Sequence, residues 1–368
     1  MGQALLIFSH PFVQASAAPP PAARSDAPAW VERVDRLFAE WDRPDSPGCA
    51  LGVIQDGKLV HTRGFGQASL EHSVPITPHT VFDVGSMSKQ FTAASIGLLV
   101  QDGKLGVEDD IHEWVSELAD FGVPVTLDHL MHHTSGLPDY LMLLVAKGWH
   151  FTDWTRPADA LAVLAGVKQL DFAPGTRFAY SNTNYFLLSL VIERAGGQPF
   201  QDFARERLFA PLGMTETLLL HDHSLVVPHR ATGYTPRTGG GFGVEMSDFE
   251  QLGDGGVQTT VEDLVRWDAN FYAHTVGGDA LQTFLHATGT LADGKPIVYA
   301  RGLFVDELGG LRRVRHGGAW AGYRAELMRF PEHRTSIVCL CNLNTMNPTH
   351  LCEQVAAIVL ADALKVPK

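Results

Sequence analysis

The chain has 368 residues, 45% of them hydrophobic and 19% charged, with 36 Gly and 21 Pro. This is a globular composition, long enough to bury a large core, and it excludes disordered and collagen-like classes. A net charge of −13 with no Lys/Arg run longer than two argues against nucleic acid or an anionic membrane surface as partner, and no apolar stretch approaches the about 18 residues that a transmembrane helix needs.

Residues 1–28 stand apart. From Val13 to Pro28 the chain is dominated by Ala and Pro, a composition that cannot pack a core and reads as a leader or linker. Residues 4–17 are similar to the end of a secretory signal, with Ala15-Ser16-Ala17 as cleavage candidate, although no Lys or Arg precedes the apolar stretch. The expectation is a periplasmic or secreted protein, with the cytoplasm as the alternative.

From Pro47 the pattern becomes periodic. Residues 49–55 and 58–69 predict two β-strands joined by Asp56-Gly57, a strong two-residue hairpin signal. Helical patterns follow over 89–101, 184–195 and 261–272, with stops at Gly103 and Gly196. Further strands are predicted over 299–307, 311–316, 324–330 and 335–343. A final helix opens at Asn347-Pro348 and places Leu351, Val355, Ile358 and Ala361 on one face. Cys49, Cys339, Cys341 and Cys352 read as small buried hydrophobes, because 339 and 341 point the same way on one strand and are too close to bridge. No internal repeat is present. The pattern predicts an α/β fold of the α+β type: an antiparallel sheet built from both chain ends (29–85 and 276–368) around an inserted, mostly helical region (86–275), with the active site between them.

Candidate chemistry begins at Ser86-Met87-Ser88-Lys89, where a β-run passes through Gly85 into a helix. Ser86 then sits at a helix N-terminus, where unpaired N–H groups favour negative charge, and Lys89 lies one turn later on the same face. A serine hydroxyl becomes a nucleophile only when a base takes its proton, and a lysine of lowered pKa can serve. Tyr180-Ser181-Asn182 follows Pro174-Gly175 in a predicted loop; if extended, it projects Tyr180 and Asn182 to one side, a phenol to relay a proton and an amide to orient the pair. His316-Gly317-Gly318 ends a predicted strand, where paired glycines would let a substrate approach the backbone.

The order Ser-x-x-Lys, Tyr-x-Asn, then a late strand bearing a basic residue and glycines resembles the serine β-lactamase and penicillin-recognising enzyme superfamily. The branch it is most similar to is the class C β-lactamase-like one, with its D,D-carboxypeptidases, D-aminopeptidases and carboxylesterases. Phe82-Asp83-Val84-Gly85, residues 133–138 and 174–185, Gly253-Asp254-Gly255-Gly256 and Gly302-Leu303 share the likeness, which runs from about residue 30 to about residue 362. It implies a cofactor-independent hydrolase in which Ser86 forms an acyl-enzyme and Lys89 and Tyr180 transfer the proton. It further implies that Asn182 binds the substrate amide or ester, that the N–H groups of Ser86 and Ala319 form the oxyanion hole, and that His316, Gly317 and Gly318 line the substrate. Where many relatives carry Lys-Thr-Gly, this chain has His316-Gly317-Gly318, so the expected grip on a substrate carboxylate is weaker and rises only as His316 gains charge toward about pH 6. Small carboxylic esters are the favoured substrates, with D-amino-acid peptides or β-lactams as alternatives.

Competing patterns are weaker. His129, His132, His133, His221 and His223 could suggest a metal site, but no H-E-x-x-H occurs and they read as structural. The sequence has no G-x-S-x-G, G-x-G-x-x-G or Walker A loop. A non-catalytic binder that keeps the fold is the alternative of another class.

Overall fold

The computed structural model describes residues 28–364, so the leader expected over 1–28 lies outside the described residues except for Pro28. Six antiparallel strands form the main sheet: β1 (Cys49–Gln55), β2 (Lys58–Phe65), β3 (Phe304–Leu308), β4 (Leu311–Trp320), β5 (Tyr323–Phe330) and β6 (Thr335–Cys341). Their order is β3-β4-β5-β6-β1-β2, so the two chain ends meet where β1 pairs with β6. Asp56 and Gly57 both take positive φ, the geometry a two-residue hairpin demands between Gln55 and Lys58.

Both faces of this sheet are covered, which explains the near-continuous apolar runs of β1 and β6. One face carries Leu51, Val53, Ile337 and Cys339 against α1 (Trp30–Arg36) and the terminal helix α6 (Pro348–Val359). The Asn347 side chain caps α6 by accepting from the His350 N–H at 3.0 Å. The opposite face carries Ala50, Ile54, Val338 and Leu340 into a larger core shared with α2 (Lys89–Gln101), α3 (Asn182–Gly196), α4 (Val261–Ala273) and α5 (Gly278–His286).

Packing crosses the expected boundary at 275/276: α4 lies directly on the sheet, with Val261 against Gly52, while α5 packs on α2. Two expectations are corrected. Residues 299–303 are not strand; β3 starts at Phe304, and β4 continues past His316 to Trp320. The cysteines are not four free hydrophobes, because Cys49 faces Cys341 across the β1/β6 pair and the two form a disulfide. Cys339 and Cys352 are free and buried.

A buried ion pair ties α4 to the sheet. Asp268 Oδ1 accepts from Arg329 Nε on β5 and from Ser336 Oγ on β6, both at 2.7 Å, and the charged side chains are each 2% exposed. Removing one member of such a pair leaves the other charge buried and uncompensated. Asp268→Ala is therefore expected to lower the unfolding free energy by about 3–5 kcal/mol in urea titrations; a loss below about 1 kcal/mol would show that this clamp does not hold α4 to the sheet.

Candidate active site

Ser86 lies in a 3₁₀ turn, Gly85–Ser88, that leads without a break into α2. The Asp83 carboxylate forms the turn by accepting from the Gly85 N–H at 2.7 Å, and its other oxygen accepts from Gln258 Nε2 at 2.8 Å. Gly85 has φ +49°, and a Cβ there would stand 2.9 Å from the Ala319 amide nitrogen, so β4 passes directly beside the serine turn. The approach is closest at Gly318, where a Cβ would lie 1.8 Å from the Val84 carbonyl oxygen. The missing side chain of Gly318 thus admits the chain's own Val84 carbonyl, while the residue also lines the groove beside Ser86. At Gly317 a Cβ would meet the Glu326 carboxylate at 2.7 Å.

Lys89, one turn after Ser86, is fully buried. Its Nζ donates to Ser86 Oγ at 3.0 Å, to Asn182 Oδ1 at 3.0 Å and to the Asp254 carbonyl at 2.7 Å, three neutral acceptors. The Tyr180 ring centroid lies 5.0 Å from the same nitrogen. The expected cluster of Ser86, Lys89, Tyr180 and Asn182 is thus assembled around one atom. Asn182 differs from expectation in that it is the first residue of α3 rather than part of the loop.

The sequence reading named His133 without giving it this role and did not single out Asp139, and these two residues aim the cluster. Asp139 Oδ2 accepts from both the backbone N–H and Nδ2 of Asn182, at 2.8 and 2.9 Å, which caps α3 in place of Ser181 and turns the Asn182 oxygen toward Lys89. His133, at φ +56°, grips the segment before α3 on both sides of Tyr180. Its carbonyl accepts from the Ala179 N–H, its Nδ1 accepts from the Ser181 N–H, and its ring packs 4.2 Å from that of Tyr180. Burial, with Lys89 nearby, holds the His133 imidazole well below its ordinary pKa, so it is a neutral acceptor. Asp139 also accepts from the Leu141 N–H at 2.9 Å as the cap of the helix Tyr140–Ala146, a local signal, but the partners through which the two residues aim the cluster are 43 or more positions away.

The other histidines of that pattern are spread over separate places in the fold. His129 Nδ1 accepts from the Thr126 N–H, and His132 bridges the carbonyl oxygens of Asp128 and Ala287. His223 bonds Glu250 and, with Asp222, forms a separate surface cluster, without His221. No helix among the described residues is long and apolar enough to cross a membrane.

His316 is 2% exposed. Its Nδ1 lies 2.6 Å from the Gly317 carbonyl, which fixes the proton there, and its Nε2 accepts from the Tyr299 hydroxyl at 3.0 Å. Burial, and then Lys89, push its pKa down to about 3. The expectation that His316 charges near pH 6 to hold a carboxylate is therefore corrected: both ring nitrogens are occupied and the ring stays neutral. Arg315 turns to Asp306 and Glu326, as alternation predicts, while Arg324 bonds the carbonyls of Ala321 and Tyr323 and lines the same groove as Ser86 and Tyr180.

A family model for beta-lactamase matches residues 34–360. The chain is 30% identical over 321 residues to a D-aminopeptidase of Gluconobacter oxydans, covering 87% of this chain and 59% of that protein's length. It is 31% identical over 313 residues to penicillin-binding protein 4* of Bacillus subtilis, covering 79% of this chain and 67% of the relative. The solved structure of an octameric penicillin-binding protein homologue from Pyrococcus abyssi superposes with a TM-score of 0.80 at 25% identity, over 90% of this chain and 77% of that one. The chain spans about three fifths of the length of that D-aminopeptidase, and the extent of the family match with the shared architecture leads to one conclusion: the chain belongs to the beta-lactamase family.

Proposed function

We propose that the chain hydrolyses small carboxylic esters through an acyl-enzyme on Ser86, with no cofactor. The observation that carries this reading is the 3.0 Å contact between Lys89 Nζ and Ser86 Oγ beside an open cleft. With one N–H removed, the same geometry lets the amine lone pair take the Ser86 proton as Oγ attacks the carbonyl carbon. The N–H groups of Ser86 and Ala319 receive the developing oxyanion; a preorganised donor of this kind contributes about 2.7–4 kcal/mol. Tyr180 gives its phenolic proton to the leaving group and is reprotonated from Lys89; water then attacks the acyl carbonyl, giving one proton to the same pair, which passes it to Ser86 Oγ as the acid leaves.

Substrates without a carboxylate on the leaving group fit best, because His316 supplies no cation and Arg315 in the same groove is already paired with Asp306 and Glu326, which leaves a carboxylate to Arg324. Amides of D-amino acids form a second reading, supported by the relative named D-aminopeptidase. Export remains part of this proposal, supported by the Cys49–Cys341 disulfide, a bond that persists in oxidising compartments.

Two results test the reading. A fluorophosphonate probe should add one label to the wild type and none to Ser86→Ala, with hydrolysis of p-nitrophenyl butyrate lost in parallel; equal labelling of both proteins would remove Ser86 from the mechanism. In a histidine NMR titration the His316 ring should stay neutral from about pH 8 down to about pH 5, since a lowered imidazole pKa defers protonation to about pH 3. A midpoint near pH 6 would restore the cationic role denied here.

A further inference from the structure

The nucleophile turn opens on two sides. Ser86 and Ala319 border a groove that also holds Tyr180, His316 and Arg324, and a cleft of about 670 Å³ that also holds Asn182, Leu141, Leu220, Phe249 and Trp320. In the mechanism above Tyr180 protonates the leaving group, so the leaving group lies on the groove side. The cleft is left for the acyl substituent.

Apolar side chains make the uncommitted part of the cleft wall. Asp83 and Gln251 line it too, but their polar groups are spent within the protein, Asp83 on the Gly85 N–H and Gln258, Gln251 on the Thr155 hydroxyl and the Arg156 carbonyl. Leu141 and Leu220 are buried, whereas Phe249 and Trp320 are partly exposed. The centroids of these two rings lie 5.0 Å apart at an interplanar angle of 54°. Phe151, 45% exposed, continues the surface, its ring edge-on to Trp320 at 6.0 Å and 74°. Tilted rings of this kind attract a further ring through their quadrupoles, in addition to the area that it buries. An aromatic surface left open to water beside a nucleophile is the wall of a ligand site. Trp320 follows Ala319 directly in β4, so this wall begins at the residue next to the N–H that receives the oxyanion.

We propose that Phe249 and Trp320, with Phe151 as outer wall, form an aryl subsite, so that esters whose acyl group carries an aromatic ring, of the arylacetyl kind, are the preferred substrates of the Ser86 reaction. The inference rests on the hydrolase reading given above and assigns the acyl half of its ester. The arylacetyl group is transferred to Ser86 Oγ, the alcohol departs on the groove side with the proton from Tyr180, and water releases the arylacetic acid.

The test compares the p-nitrophenyl esters of phenylacetic, cyclohexylacetic and acetic acid, with each kcat/KM divided by the rate constant of that ester with hydroxide. Burial of a phenyl ring predicts a phenylacetate value about 10- to 150-fold above that of acetate. Ring-to-ring contact predicts a phenylacetate value about 2- to 12-fold above that of cyclohexylacetate, although the saturated ring is the bulkier. Trp320→Leu keeps an apolar wall and removes its ring, so it should bring the phenyl-to-cyclohexyl ratio toward one. Phe151→Ala should lower both ratios, and because this side chain is half exposed, its variant decides the matter if Trp320→Leu fails to fold. A wild type that cleaves the acetate ester with either ratio near one overturns the aryl subsite and leaves the hydrolase reading standing. A folded Trp320→Leu that keeps both ratios, or in its absence a Phe151→Ala that keeps them, does the same. A wild type that cleaves none of the three esters would instead remove the hydrolase reading.

Discussion

The nitrogen of Lys89 is the point on which the site closes. It is fully buried, and its hydrogen bonds reach Ser86 on the nucleophile turn, Asn182 at the start of α3 and the Asp254 carbonyl in the glycine-rich loop, partners 3, 93 and 165 positions away. A buried donor that loses a partner costs about 1–3 kcal/mol, so each of these segments is held where the others need it. Asp139 and His133 extend the same constraint outward, one by fixing the amide of Asn182, the other by clasping the backbone on both sides of Tyr180.

The sheet supplies the remaining wall. Pairing of β1 with β6 closes the two chain ends into one surface, and β4 carries Gly318 and Ala319 across the nucleophile turn at a distance that excludes a side chain. Packing therefore decides the composition of the late glycine pair at least as much as substrate access does.

Local signals were legible where local physics sets the structure. The helix over Lys89–Gln101 has the expected bounds, Asp56-Gly57 makes its hairpin, and Asn347 caps the last helix. Ser86 and Lys89 were legible too, since their spacing alone puts them on one helical face. Features set by distant partners were not: the Cys49–Cys341 bridge spans 292 positions, and α4 leaves the helical region to meet Arg329 and Ser336 on the sheet. His316 was misread for the same reason, because its residue type suggests a titrating group while Tyr299, Gly317 and its burial make it a neutral one.

The account stands on proton transfer at Lys89, and the most direct measurement is the kcat of Lys89→Ala, Tyr180→Phe and the double variant on a neutral ester. General-base catalysis predicts a fall of about 10²–10⁴-fold for Lys89→Ala, with KM moving far less. The double variant should lose less than the product of the two single losses, because the residues act as one unit. A folded Lys89→Ala enzyme that keeps most of the wild-type kcat would contradict the account.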